Sequence, residues 1–300
     1  MACWRPLTFT VPFSRGSHLK KNVKVPCNYC LSCRLTRSIY LRSISSYEAY
    51  MCALEGRGSS FSTLTYCDYN LPISLDSGLP TVDKGELQKF IKRLRAYLPK
   101  DLRNFKFIAS GEYGDQFGRP HFHFTPLGLP SSYADKAIAE CWNNPEVRDF
   151  TGVIRGTVDI GALRAGGLSY VTKYCLKQVR GKELNELYDN NFIQPPFIVH
   201  SKELESRFVL RELDELRKSH WQSTFFGRPS FIPVQVMKKY ASAYDLQRYT
   251  TSCIKYLKSK PIDEILRTRQ AKERSLYMSN IQRGVASDND VLIWDTPNFL

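Results

Sequence analysis

The chain has 300 residues, 42% hydrophobic and 24% charged. That is ordinary globular usage, long enough to bury a sizeable core. Lys and Arg number 43 against 29 Asp and Glu, a net charge of +14, which argues against a neutral or acidic surface and for a polyanionic partner, nucleic acid or an anionic membrane surface. No apolar run approaches the roughly 18 residues that span a bilayer, and residues 1–11 lack the charged-then-apolar order of a signal peptide, so no membrane insertion is expected. Nine cysteines in a chain of ordinary composition read as reduced thiols in a cytoplasm rather than a secreted disulfide scaffold. Aromatic residues make up 13%; beside basic charge they suit stacking on single-stranded bases, although core packing is their commoner use.

The first 25 residues read as basic and irregular, with His18, Lys20, Lys21 and Lys24. Cys27, Cys30 and Cys33 follow, then Arg34 and a helix with Leu35, Ile39, Tyr47, Met51 and Leu54 mostly at helical intervals, closed by Gly56 and Gly58. Phe61–Tyr66 is aromatic and β-branched, a strand. Asp83 and Glu86 form a D-x-x-E capping pattern ahead of Leu87, Phe90, Ile91, Leu94 and Leu98, an amphipathic helix. Two strands, 105–111 and 119–125, flank the turn residues Tyr113–Gly118 and predict a hairpin. A short helix over 133–142, a strand over 153–160 and a basic helix from Leu168 to about Val179 complete the pattern.

The order β-α-β-β-α-β predicts an α+β fold with an antiparallel sheet. Three regions are expected: a basic N-terminal segment, 1–56; a core, 57–180; and a mostly helical basic region, 181–300, with helices near 201–218, 233–257 and 262–281.

Three constellations carry chemistry. His121 and His123 are two apart on a strand, so they share a face while Phe122 and Phe124 take the other. Two imidazoles on a rigid strand make two-thirds of a metal site. Glu112, nine residues earlier across the predicted turn, is the candidate third ligand. A carboxylate suits Mg²⁺ or Mn²⁺, and the imidazoles tilt the set towards Mn²⁺ or Zn²⁺. The plainer reading is a solvated histidine pair and a solvated strand-end carboxylate. Tyr170 and Tyr174 are one helical turn apart, with Lys173 and Lys177 three residues after each. A tyrosine of ordinary pKa, about 10, is a poor nucleophile unless a cation assists it; the plainer reading is packing tyrosines and outward lysines. Cys27, Cys30 and Cys33 could hold a structural Zn²⁺ with a distant fourth ligand, Cys3, His18 or Cys52, or be buried free thiols.

The His-hydrophobic-His strand combined with Tyr-x-x-x-Tyr-x-x-Lys resembles the HUH endonuclease superfamily of rolling-circle replication initiators, and most closely the initiators of small single-stranded DNA microviruses. The matching segments are Cys27–Arg34, Phe61–Tyr66 with Asp68, Gly111–His123 and Tyr170–Lys177. They lie in the family's order and cover residues 27 to about 180; the last 120 residues carry no matching signature.

The resemblance implies an enzyme, a metal-dependent DNA endonuclease and strand transferase. A metal at His121 and His123, Mg²⁺ or Mn²⁺, polarises the scissile phosphate of single-stranded origin DNA. Tyr170 or Tyr174 attacks and stays on the 5′ phosphate, and the freed 3′-OH primes a host polymerase. The second tyrosine later rejoins the strand. Lys173 and Lys177 steady the charge, and Arg34 and Arg119 are expected to contact nucleic acid. The chain has no Gly-x-x-x-x-Gly-Lys-Ser/Thr pattern, so a host helicase is expected, in the cytoplasm of an infected bacterium. The alternatives are a plasmid relaxase or transposase of the same superfamily, and a non-catalytic, zinc-stabilised nucleic-acid-binding regulator.

Overall fold

The computed structural model describes Cys3, Pro6 and residues 7–14, 18–28, 30–114, 117–143, 155–164, 167–173, 184–225 and 228–258. The chain falls into two compact units, residues 1–204 and 205–300.

The first unit opens with a hairpin, β1 (Leu7–Pro12) and β2 (Lys20–Val25), paired antiparallel from Leu7 opposite Val25 to Pro12 opposite Lys20. This corrects the irregular N-terminus expected above. Nearly every hairpin residue is exposed, so neither face carries the apolar alternation by which a strand is read from sequence.

Helix α1 (Leu31–Leu54) follows, then β3 (Ser60–Leu64), α2 (Lys84–Tyr97), β4 (Lys106–Tyr113), β5 (Pro120–Leu127), α3 (Ser131–Trp142), β6 (Val158–Ala162), α4 (Gly167–Lys173) and β7 (Phe197–His200). Five of these strands form one sheet in the spatial order β6-β3-β5-β4-β7, every neighbouring pair antiparallel. The protein is therefore α+β with an antiparallel sheet. The edge strand β7 lies in the stretch expected to be mostly helical. It is only four residues long and follows Pro195-Pro196, too short for a period to declare itself. The strand expected over 153–160 is described as 158–162, and the basic helix expected to reach Val179 is described as far as Lys173.

One face of the sheet forms the main core. Leu64, Ala109, Phe122 and Phe124 pack against Leu87, Phe90, Ile91 and Leu94 of α2 and Ala134, Ile138, Cys141 and Trp142 of α3. Phe122 and Phe124 are fully buried, a transfer that stabilises the fold by roughly 1.5–3 kcal/mol for each ring. Asp83 caps α2 by accepting from the Gly85 N–H at 2.6 Å. Glu86 does not close the capping box; its carboxylate pairs with the buried Arg155 and with Lys89. The opposite face carries α1, through Glu48 bonded to Lys106 of β4, and α4, which packs against α1.

The second unit contains α5 (Ser206–Arg211), α6 (Leu213–Lys218), the hairpin β8 (Gln222–Phe225) and β9 (Arg228–Phe231), α7 (Val234–Tyr240) and α8 (Ala243–Lys258). Phe208, Val209, Leu216, Trp221, Ile232, Val236 and Met237 are buried in it. The helices expected near 201–218 and 233–257 are each broken in two and a β-hairpin lies between them. The helix expected at 262–281 lies outside the described residues.

Candidate metal centre

Alternation along β5 sends Phe122 and Phe124 into the core and turns His121 and His123 to the face that α1 and α4 cover. Register does the rest. Glu112 of β4 stands directly opposite His121, and His123 stands opposite Ser110 of β4 and Thr63 of β3. One carboxylate oxygen, Glu112 Oε1, lies 3.2 Å from His121 Nε2 and 2.7 Å from His123 Nε2. The turn between β4 and β5 thus brings together the three residues singled out in the sequence.

The other ring nitrogens are held from behind. His121 Nδ1 lies 3.0 Å from the Arg119 carbonyl oxygen and His123 Nδ1 lies 3.2 Å from Thr63 Oγ1. A carbonyl only accepts, so His121 Nδ1 carries the proton, and in the neutral ring Nε2 keeps its lone pair for a ligand. Phe61 stacks on His123, with ring centroids 5.6 Å apart and planes at 22°. Thr63, Phe61 and the Arg119 carbonyl were not singled out in the sequence; their signal is the strand Phe61–Tyr66, whose odd-numbered side chains share the face of the histidines.

Glu112 is 1% exposed. Burial alone would raise its pKa, but the hydrogen bonds and charge of the two imidazoles outweigh this and hold it at about 2. A buried, ionised carboxylate sharing one oxygen with two imidazoles is a donor set that calls for a cation. One oxygen and two nitrogens fit a divalent metal of the Mn²⁺, Mg²⁺ or Zn²⁺ kind.

Tyr170, on α4, places its ring edge-on to His123, with centroids 5.0 Å apart, and edge-on to Phe61 at 5.9 Å. The tyrosine is 46% exposed, so it is reachable from solvent while seated on a histidine of the triad. Lys173 ends α4. Tyr174 and Lys177 lie outside the described residues.

Arg34 requires a correction. It is buried in the first turn of α1, 8% exposed, and a guanidinium withdrawn from solvent does not meet a phosphate backbone. Arg119 is half-exposed but committed within the fold: it donates to Asp68 Oδ1 and to the Tyr66 carbonyl, both at 2.5 Å, which pins the start of β5 to the segment after β3. Cys27, Cys30 and Cys33 are brought together and Cys3 joins them. His18 is exposed beside the hairpin turn, and Cys52 is buried along α1 with its thiol towards Glu48, so neither is the fourth member.

Fold and site define an α+β protein with a two-histidine, one-carboxylate centre on the helix-covered face of an antiparallel sheet and a tyrosine seated on that centre. Residues 59–179, which contain all of these groups, match the model of a family of phage replication-associated proteins, that of Replication-associated protein ORF2, and over this stretch the chain belongs to that family. It is similar to Replication-associated protein ORF2 of Spiroplasma virus 4, 30% identical over 172 residues, which are 55% of this chain and 52% of the relative. It is also similar to Replication-associated protein VP4 of Bdellovibrio phage phiMH2K, 28% identical over 164 residues, 51% and 48% of the two chains. A third relative, Replication-associated protein ORF4 of Chlamydia phage 1, is 28% identical over 173 residues, 51% and 38%. The chain spans about half the length of the curated relatives it matches. No solved structure matches it. No helix among the described residues is long and apolar enough to cross a membrane.

Proposed function

We propose that this chain initiates replication of a phage genome by nicking single-stranded origin DNA with a tyrosine and later rejoining the strand. The observation that carries this reading is the seating of Tyr170 against His123, whose Nε2 bonds the buried Glu112. The names of the relatives support a role in replication.

Glu112, His121 and His123 would hold the cation. When bound, a divalent ion such as Mg²⁺ or Mn²⁺ supplies Lewis-acid polarisation of a phosphate oxygen. The chain's own residues do the rest. Thr63 and the Arg119 carbonyl fix the ring orientations. α4 holds Tyr170 at the edge of the centre. The tyrosine oxygen bonds to phosphorus, the bond from phosphorus to the 3′ oxygen breaks, and the proton lost from the tyrosine ends on the 3′-OH. The DNA 5′ phosphate stays on the enzyme, and the 3′-OH is left for a host polymerase, with a host helicase opening the duplex.

Tyr174, one helical turn on by spacing, takes the second transfer, in which the freed 3′-OH attacks the first linkage and closes a circle. Two hydroxyls about 5.4 Å apart along a helix axis serve this exchange without release of the DNA. Lys173 and Lys177 stabilise charge that builds on the phosphate, an effect greater in the transition state than in binding. The chain's net charge of +14 supplies sequence-independent affinity for the strand.

The experiment is incubation of the full chain with labelled single-stranded fragments tiling the genome that encodes it, with Mg²⁺ or Mn²⁺. A cleaved fragment and a covalent protein–DNA band are expected. Retarded mobility without cleavage would instead identify a nucleic-acid-binding regulator.

A further inference from the structure

We infer that Cys3, Cys27, Cys30 and Cys33 bind a zinc ion that clasps the N-terminal hairpin to the start of α1. This site is separate from the Glu112–His121–His123 centre and does not depend on the nicking reading.

The four sulfurs all lie within 4.8 Å of one another. Cys3 Sγ is 3.4 Å from Cys27 Sγ and 3.9 Å from Cys30 Sγ, and Cys27 Sγ is 4.0 Å from Cys33 Sγ. A tetrahedral site with zinc–sulfur bonds of about 2.3 Å places its sulfurs about 3.8 Å apart, the spacing seen here. Backbone donors are already turned onto the sulfurs: the Cys27 N–H points at Cys3 Sγ, 3.2 Å, and the Cys30 N–H at Cys27 Sγ, 3.4 Å. Bonds of this kind stabilise thiolates rather than thiols. Asn28, with φ +66°, supplies the left-handed residue that turns the chain tightly between Cys27 and Cys30.

Position explains what the ion does. Cys3 precedes β1 and Cys27 follows β2, so the pair brackets both ends of the hairpin. Cys30 is the N-cap of α1 and Cys33 lies in its first turn. A two-stranded hairpin alone is marginally stable in water, and this one is exposed along nearly its whole length, with little apolar burial to seat it. One ion bonded to all four sulfurs makes three chain segments a unit, with binding energy serving as folding energy.

The helix supplies an independent argument. The start of α1 has no side-chain cap and no acidic residue in its first turn, which is unusual for a helix of 24 residues. Zn²⁺ with four thiolates carries a net charge of −2, and it would sit where the helix macrodipole favours negative charge. The metal complex is the missing cap.

The test is elemental analysis of the full chain purified without added metal. About one zinc per chain is expected. It should persist in the His121→Ala, His123→Ala variant and be lost in Cys27→Ser, Cys30→Ser. On the unmodified chain, where misfolding of a variant plays no part, an organomercurial reagent should release the zinc. Alkylation of Cys3, Cys27, Cys30 and Cys33 should be blocked before release. Tryptic cleavage at Lys20, Lys21 and Lys24 should quicken at least about tenfold after it, the signature of a local unit losing its order. A chain with no zinc, a chain with iron in its place, or zinc that is lost with the histidines and kept without the cysteines would overturn the assignment.

Discussion

The ring of Tyr170 meets the imidazole of His123 edge-on, with centroids 5.0 Å apart and planes at 84°. The contact is made by the ring, not the hydroxyl, so packing and chemistry can be separated. Tyr170→Phe is expected to fold with an unchanged melting temperature and to bind single-stranded DNA within about twofold of the parent, because phosphate contacts come mainly from Lys and Arg. The same variant should fail to close a circle. Fluorescence anisotropy and a ligation assay on one preparation check both parts, and a large loss of affinity would mean that the hydroxyl grips DNA.

Thr63 sits behind His123 and touches no reacting group, which makes it a positioning residue. Thr63→Val keeps the side chain's shape and removes the bond to Nδ1. The Mn²⁺ concentration for half-maximal nicking should rise about 10- to 100-fold, the usual cost of losing a partner behind a metal ligand. Glu112→Gln should do at least as much. Titration of activity with Mn²⁺ measures both, and an unchanged midpoint for Glu112→Gln would remove the carboxylate from the metal set.

The Glu86–Arg155 pair gives a pH signature away from the metal centre. Burial of Glu86 raises its pKa, but the hydrogen bond and charge of Arg155 outweigh it and hold the carboxyl below its ordinary 4.5. Since the folded pKa lies below the unfolded one, the pair stabilises fully above about pH 4.5 and is lost as the pH falls through the folded value. Arg155 also lies 5.0 Å over the Trp142 ring. Arg155→Ala should cost about 2–3 kcal/mol at neutral pH. Thermal melts on the two proteins should converge in acid, and a gap that widened there would contradict the sign.

Gly156 lies where the chain enters the sheet beside β3. A Cβ there would come 2.0 Å from the Thr65 carbonyl oxygen, with backbone on every near side, and the flanking bonds Cys67 N–H to Arg155 and Thr65 N–H to Thr157 leave no room to shift. Gly156→Ala should destabilise by about 3 kcal/mol. Gly161→Ala in β6, with open space around it, should stay within about 1 kcal/mol of the parent. Denaturant melts of the pair make the comparison.

The metal face was legible because a strand has period two: His121 and His123 had to share a side, and a short turn brings Glu112 within reach. The capping Asp83 and the core stripe of α2 were legible for the same local reason. What was not legible depends on distance along the chain or on absent contrast. Cys3 lies 24 residues before Cys27, and in sequence it competed equally with His18 and Cys52; only folding of the hairpin brings it in. The hairpin itself is wet on both faces and gives no alternation. Arg34 read as a phosphate contact because it follows the cysteines, but helix phase turns it inward. Glu86 read as half of a capping box, yet a buried guanidinium 69 residues away is a stronger partner than a helix N–H.

The central claim is that a tyrosine of α4 or the segment after it becomes covalently linked to DNA. Mass spectrometry of the adduct formed with a cleaved oligonucleotide and Mn²⁺, after digestion, tests this most directly. The account predicts a 5′-phosphonucleotide on Tyr170 or Tyr174 and no adduct from the Tyr170→Phe, Tyr174→Phe double variant. A nucleotide on any other residue, or cleavage with no protein-bound nucleotide, would contradict it.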